Sequence, residues 1–319
     1  MKSASSFLLL ASVVAAALPP GLQTFYDQAK TGTCAGADTL GSGFKDTDDG
    51  PDAQDWVYCQ QGVEQKAIFI KGNGQLANMD IDCDGDQKGN GPGTACASSS
   101  DTQSETAFKD TVSQYGIRDL DANIHPYVVF GNQGSKAGYK NFDPQAHGVR
   151  PLSVMAVVCN NKVVYGIWGD TNGDDGPPLV GEAALSVGLA CFGPGSVNGN
   201  SAHDTKDVLY IAFTGQDAVP GKSADWKAGS YDEFEASIKT LGDKLVADIF
   251  GGGASTNDPP TDPNAPPTTL KTVPAPAPTT GSGTCAWKGH CEGAACKSEN
   301  DCSGSLVCSG GKCAPESSG

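Results

Sequence analysis

Twelve cysteines divide this chain into two parts that must fold in different ways. Six lie between Cys34 and Cys191, and six between Cys285 and Cys313. Between the sets, residues 251–283 are rich in Pro, Thr, Ser and Gly. Such a stretch cannot supply a packed core and reads as an extended, O-glycosylated linker. Each set, even in number, can therefore pair within its own unit. The tail, residues 284–319, spaces its cysteines C-x5-C-x4-C-x5-C-x5-C-x4-C, and so short a module needs three disulfides in place of a core. It lacks paired C-x2-C ligands, which argues against zinc. Its Trp287 suits either stacking on a sugar ring or packing beside a disulfide, so polysaccharide anchor and inert tail stand level.

Disulfides imply an oxidising compartment, and the start of the chain agrees. Met1-Lys2, an apolar run from Phe7 to Ala17 and small residues before the cut make residues 1–17 a signal peptide. That run is too short to span a bilayer and nothing later is long enough, so the expected product is soluble, secreted and free of the membrane. The formal net charge of −16 reads first as solubility and second as attraction for a cationic partner. No Lys/Arg cluster exists to neutralise phosphates, which excludes nucleic acid as a partner.

Residues 18–250 are long enough for one sizeable core. Leu22 to Ala29 reads as a short helix, Cys34 to Trp56 as loop. Val57-Tyr58 and Ala67 to Ile70 read as strands, with Gly72-Asn73-Gly74 as a hairpin-type signal. Gln103 to Tyr115 is a predicted helix capped by Ser104. Tyr127 to Phe130, Leu152 to Val158, Val163 to Trp168 and Val208 to Phe213 are predicted strands. Asn160-Asn161-Lys162 should turn the second of these into the third. Tyr231 to Phe250 is a predicted helix with Glu235/Lys239 as an i,i+4 pair. Strands dominate without a βαβ rhythm. The fold class is therefore α+β and β-rich: one compact domain around an antiparallel or mixed sheet or a barrel, plus the small disulfide-rich module.

The chemistry concentrates in residues 163–193. A buried strand ends at Gly169, and Asp170 opens a loop holding Asn172, Asp174 and Asp175. The chain re-enters apolar sequence through Gly181-Glu182-Ala183. Asp170 and Glu182 thus flank one acidic loop, one among solvated acids and one against an apolar wall. Glycoside hydrolysis needs such a pair, one ionised and one protonated. Upstream, Asp80, Asp82, Asp84 and Gly85 match the front of a calcium loop, but Gly91 stands where the closing Glu belongs. A disulfide-pinned turn and a cation-binding wall are the other readings. Asp170-x-Asn172-x-Asp174 imitates a second calcium loop but carries Asp175 where Gly belongs. Neither match is taken as a metal site, and no cofactor is expected. His125, His147, His203 and His290 lack ligand spacing, and no G-x-S-x-G elbow occurs. Cys83–Cys96 and Cys159–Cys191 are the pairings expected from the proximity of motifs.

The block from Trp56 to Phe213 resembles the fungal chitosanases of glycoside hydrolase family 75. KAIFIKGNGQLANMDIDCDGDQ, DTQSETAFKDTVSQYGIRDLDANIHPYVVFGN and VMAVVCNNKVVYGIWGDTNGDDGPPLVGEAALSVGLACFG carry the likeness. The resemblance implies an endo-acting, inverting hydrolase of β-1,4 bonds in chitosan; a monomer is expected. It places the catalytic Glu on Glu182 and the Asp most naturally on Asp170, with Asp174 and Asp175 of the same loop as the alternatives for that member. Asp174, Asp175, Asp84, Asp86 and Trp168 are the expected substrate contacts; turn capping is the competing role for each extra Asp. A non-catalytic glycan-binding or wall protein, stabilised by calcium, is the rival function.

Overall fold

The computed structural model describes residues 18–34, 38–47, 55–61, 66–91, 93–97, 99, 102–174, 176–251, 293 and 306–315. The leader, nearly all of the linker, Trp287, Asp175 and most of the tail lie outside the described residues. Two units are distinguished, residues 1–256 and 257–319.

The first unit is built on one nine-stranded mixed sheet. Its strands are β1 (Thr39–Phe44), β2 (Trp56–Gln61), β3 (Ala67–Lys71), β4 (Ala77–Asp82), β5 (Tyr127–Asn132), β6 (Val154–Cys159), β7 (Lys162–Asn172), β8 (Glu182–Ala184) and β9 (His203–Phe213). Their order is β1-β2-β3-β9-β4-β8-β5-β7-β6, and β6 also pairs with β9. That extra pairing closes β9, β4, β8, β5, β7 and β6 into a ring, with β3, β2 and β1 as a wing. β4–β8 and β5–β7 are parallel, while the remaining pairs are antiparallel. Every residue of β5 and β6 is buried, because these strands are covered on both faces and read as unbroken apolar runs. The β6–β7 turn is as expected, with Asn160 and Asn161 at φ 45° and 57°, left-handed values that Asn tolerates.

Among the described residues the unit also holds the α-helices α1 (Pro20–Ala29), α2 (Lys109–Ser113), α3 (Leu185–Phe192) and α4 (Tyr231–Phe250). Ser230 caps α4 by accepting from Glu233 N, and Phe234, Ile238 and Leu245 face inward against β6 and β7. Disulfides join Cys83 to Cys96 and Cys159 to Cys191 as expected, and Cys34 to Cys59. In the second unit, β10 (Leu306–Ser309) and β11 (Lys312–Pro315) form an antiparallel hairpin. No helix among the described residues is long and apolar enough to cross a membrane.

Four expectations are corrected. The stretch read as loop before Trp56 holds β1, whose Gly-rich sequence hid the strand. Gly72–Gly74 does not make a hairpin: β3 and β4 lie one after the other along β9, opposite 211–213 and 203–208. Lys239 pairs with Asp243 at 2.8 Å, one turn onward from the expected Glu235. The predicted helix from Gln103 shrinks to α2, and its lost first half bears directly on the site.

Candidate active site

β-sheet register assembles the site. Val129 on β5 pairs with Glu182 on β8 and with Asp170 on β7, and Glu182 pairs in turn with Asp80 on β4. Asp80, Glu182, Val129 and Asp170 thus form one row across four strands. In-register neighbours share a face, and Asp170 and Glu182 stand two strand spacings apart, about 9–10 Å at the backbone. All four line one open cleft of about 870 Å³.

Asp170 faces the cleft because β7 is bulged. Val128 pairs with Trp168, but Val129 pairs with Asp170, so Gly169 is the extra residue. Trp168 and Asp170 then lie on opposite faces although two residues apart. A Cβ on Gly169 would stand 2.5 Å from Tyr127 Cβ and 2.6 Å from Leu120 Cδ1, so only glycine fits the bulge. Trp168 is consequently fully buried, packed edge-on against Phe108, and is not a substrate contact. It supports the site from below: its indole Nε1 donates to the Asp170 carbonyl at 2.9 Å.

Asp170 lies inside strand β7, not in a solvated loop, and is 7% exposed. Its Oδ1 accepts from Ala107 N at 3.0 Å and Thr171 N at 2.7 Å. Burial pushes its carboxyl well above the ordinary range, and the charges of Asp82 and Asp84 push the same way, against those two N–H groups. Glu182 is half-buried, and among the described residues none donates a hydrogen bond to its carboxyl. It too is raised well above its usual value, first by desolvation and then by Asp82, Asp80, Asp170 and Asp84.

The stretch preceding α2 is irregular where a helix was expected, because acids elsewhere in the chain use its amides. Gln103 N donates to Asp84, Thr106 N to Asp119 at 3.0 Å and Ala107 N to Asp170. Those bonds replace the first helical turn and bring Asp84 and Asp170 together.

Of the remaining expected contacts, Asp84 lines the cleft. Asp86 does not: it accepts from Lys88 N, pairs with Lys88 and Arg118 at 3.1 Å each, and is a structural anchor beside the site. Burial raises its carboxyl, but the Lys88 hydrogen bonds and the Arg118 and Lys88 charges outweigh this and hold it below its usual value. Asp174 stands at the rim, where Ser135 N and Lys136 N donate to its Oδ2, the turn-capping role. The backbone N–H groups hold its carboxyl low.

Asp82, which the sequence offered only within the acidic set read as a calcium loop, a turn or a cation-binding wall, also lines the cleft. One oxygen from each of Asp82, Asp84 and Asp170 lies within 4.8 Å of the others, a spacing that one cation or one ammonium group can bridge. The alternation of Asp80, Asp82 and Asp84 was the available signal. A wrapped calcium loop is ruled out for Asp80–Gly85, because Asp80 and Asp82 sit in strand β4 with their backbones paired to β8.

This chain is a glycoside hydrolase by its likeness to known proteins. A family model described as fungal chitosanase of glycosyl hydrolase group 75 matches residues 79–248, and the chain belongs to that family. It is 50% identical over 235 residues to an endo-chitosanase of Aspergillus oryzae (strain ATCC 42149 / RIB 40), covering 73% of this chain and 91% of that relative. To an endo-chitosanase of Aspergillus fumigatus it is 48% identical over 241 residues, 76% of this chain and 95% of the relative. An endo-chitosanase C of Aspergillus oryzae is 38% identical over 269 residues, 83% and 60% respectively.

Proposed function

We propose that this protein is a secreted endo-chitosanase that hydrolyses β-1,4 bonds between glucosamine units with inversion. The observation that carries the reading is the pairing of Glu182 and Asp170 to opposite sides of Val129. Two backbones about 9–10 Å apart leave room for the carboxyl separation of about 6.5–9.5 Å that a water between acid and base requires. The leader sequence and the disulfides among the described residues support secretion.

Glu182 is the general acid. Its carboxyl is desolvated, faces four other acids and receives no hydrogen bond from the described residues, so it holds its proton. That proton passes to the glycosidic oxygen as the bond to the anomeric carbon breaks. Asp170 is the general base: it takes a proton from a water that attacks the same carbon from the opposite face. Its two N–H donors fix the carboxylate, and the bound substrate supplies the rest. Glucosamine ammonium groups entering beside Asp82 and Asp84 offset the repulsion that disfavours the ionised base. The acidic cleft thereby couples binding of a cationic sugar to readiness of the base.

The test is release of reducing ends from soluble chitosan in the presence of a chelator. Sustained release is the expected result. Binding without release would favour the rival glycan-binding protein.

A further inference from the structure

We infer that Asp80 is a specificity-determining contact for the sugar on the leaving side of the scissile bond, where it selects a free ammonium over an acetamide. The inference rests on the assignment of Glu182 as acid and Asp170 as base. The order across the sheet is Asp170, Val129, Glu182, Asp80. The bond broken lies between acid and base, and the acid faces the leaving oxygen. The sugar carrying that oxygen therefore extends from Glu182 away from Asp170, over β4. Asp80 is the next side chain of the row there, half-buried and facing the cleft. The cleft continues past it to Thr47 and to the turn at Asn198 and Ser201, which leads into β9 beside β4.

The carboxyl is also held for this duty. Thr47 donates its hydroxyl proton to Asp80 Oδ2, and Asn78 Nδ2 donates to Thr47 Oγ at 3.1 Å. With its oxygen taken by Asn78, the single Thr47 proton is directed at Asp80, which makes Oδ2 an acceptor in a fixed orientation. Asn78 is fully buried and its backbone N donates to buried Asp46 at 3.2 Å, so the chain is anchored in the core. A fixed carboxylate meets an ammonium with charge-assisted hydrogen bonds. An acetamide offers it one neutral N–H and a methyl group that removes water without compensation.

The experiment is hydrolysis of partially acetylated chitosan by wild type, Asp80→Asn and Thr47→Val, with the sugars at both kinds of new chain end identified. New non-reducing ends come from the leaving side, and new reducing ends from the other. Asp80→Asn should raise the share of N-acetylglucosamine at new non-reducing ends about tenfold, the equivalent of one charged hydrogen bond. The share at new reducing ends should not move. Thr47→Val should shift the same ends by about threefold, and it decides the matter if Asp80→Asn does not fold. An unchanged share at non-reducing ends, or a change confined to reducing ends, overturns the assignment of Asp80. Wild-type cleavage by Glu182→Gln in the same assay would instead overturn the site reading on which it rests.

Discussion

Glu182 and Asp170 are joined through a single residue: each pairs with Val129, one on either side of β5. Their separation is therefore a property of sheet register and not of a loop. The acidic loop between them sets the rim of the cleft but not the spacing of the acids. Substitution at the two acids should accordingly affect chemistry and leave the scaffold intact. Glu182→Gln and Asp170→Asn should each lower kcat on soluble chitosan by about 10³-fold, with KM little changed and the circular dichroism of wild type. Ordinary turnover in either variant removes that residue from the pair.

The same burial makes stability depend on pH. Burial and neighbouring acids raise both carboxyls in the folded state. A carboxyl raised on folding contributes stability that is fully present below its unfolded pKa, about 4, and that is lost as pH rises through the folded value. Glu182→Gln removes that loss. Its melting temperature should exceed that of wild type at pH 7–8, and the difference should shrink to nothing near pH 4. A constant difference across this range would contradict the burial argument.

Asp86 has the opposite sign. Its carboxyl is held low by Lys88 and Arg118, so its contribution is present above the unfolded value and is lost as pH falls. Both partners are largely exposed, at 80% and 62%, so screening keeps the contribution to about 1 kcal/mol or less. Asp86→Asn should lower the melting temperature slightly at pH 7 and leave kcat/KM for chitosan within about twofold of wild type, as a residue outside the cleft should. A large loss in kcat/KM would return Asp86 to the substrate contacts.

Gly169 carries the bulge that aims Asp170. Gly169→Ala forces a methyl against Tyr127 and Leu120, within 2.6 Å of both. Relief requires β7 to shift, which should cost about 1–3 kcal/mol in stability. Because the shift moves Asp170, turnover should fall much further than the stability loss explains. Thermal melts and single-turnover rates on the same preparation separate the two effects.

These particulars also show what could be read from residues alone. Glu182 and Asp170 stood out because each lies beside a glycine at the edge of an apolar segment, a local pattern. Asp80, Asp82 and Asp84 were visible as an alternating set, though the calcium-loop likeness drew attention from their strand. Trp168 stands two positions before Asp170 and would share its face in a regular strand, but the Gly169 bulge, set by packing with β5, turns it to the other side. The missing first half of the predicted helix has a similar cause. Ser104 has the chemistry of a cap, but the amides of Gln103, Thr106 and Ala107 are held by acids from 13 to 63 positions away. Long-range hydrogen bonds of this kind leave no periodicity to read. The ring closure by β6 and β9 is likewise a pairing between distant segments.

The direct test of the central claim is stereochemical. Proton NMR of a glucosamine hexamer during the first moments of hydrolysis identifies the anomer released before mutarotation. Water delivered by Asp170 to the face opposite Glu182 converts the β-linkage to an α-anomer, so the α signal should appear first and the β signal should grow in later. A β-anomer appearing first would mean a retained configuration, and the assignment of Asp170 as the base for an intervening water would be wrong.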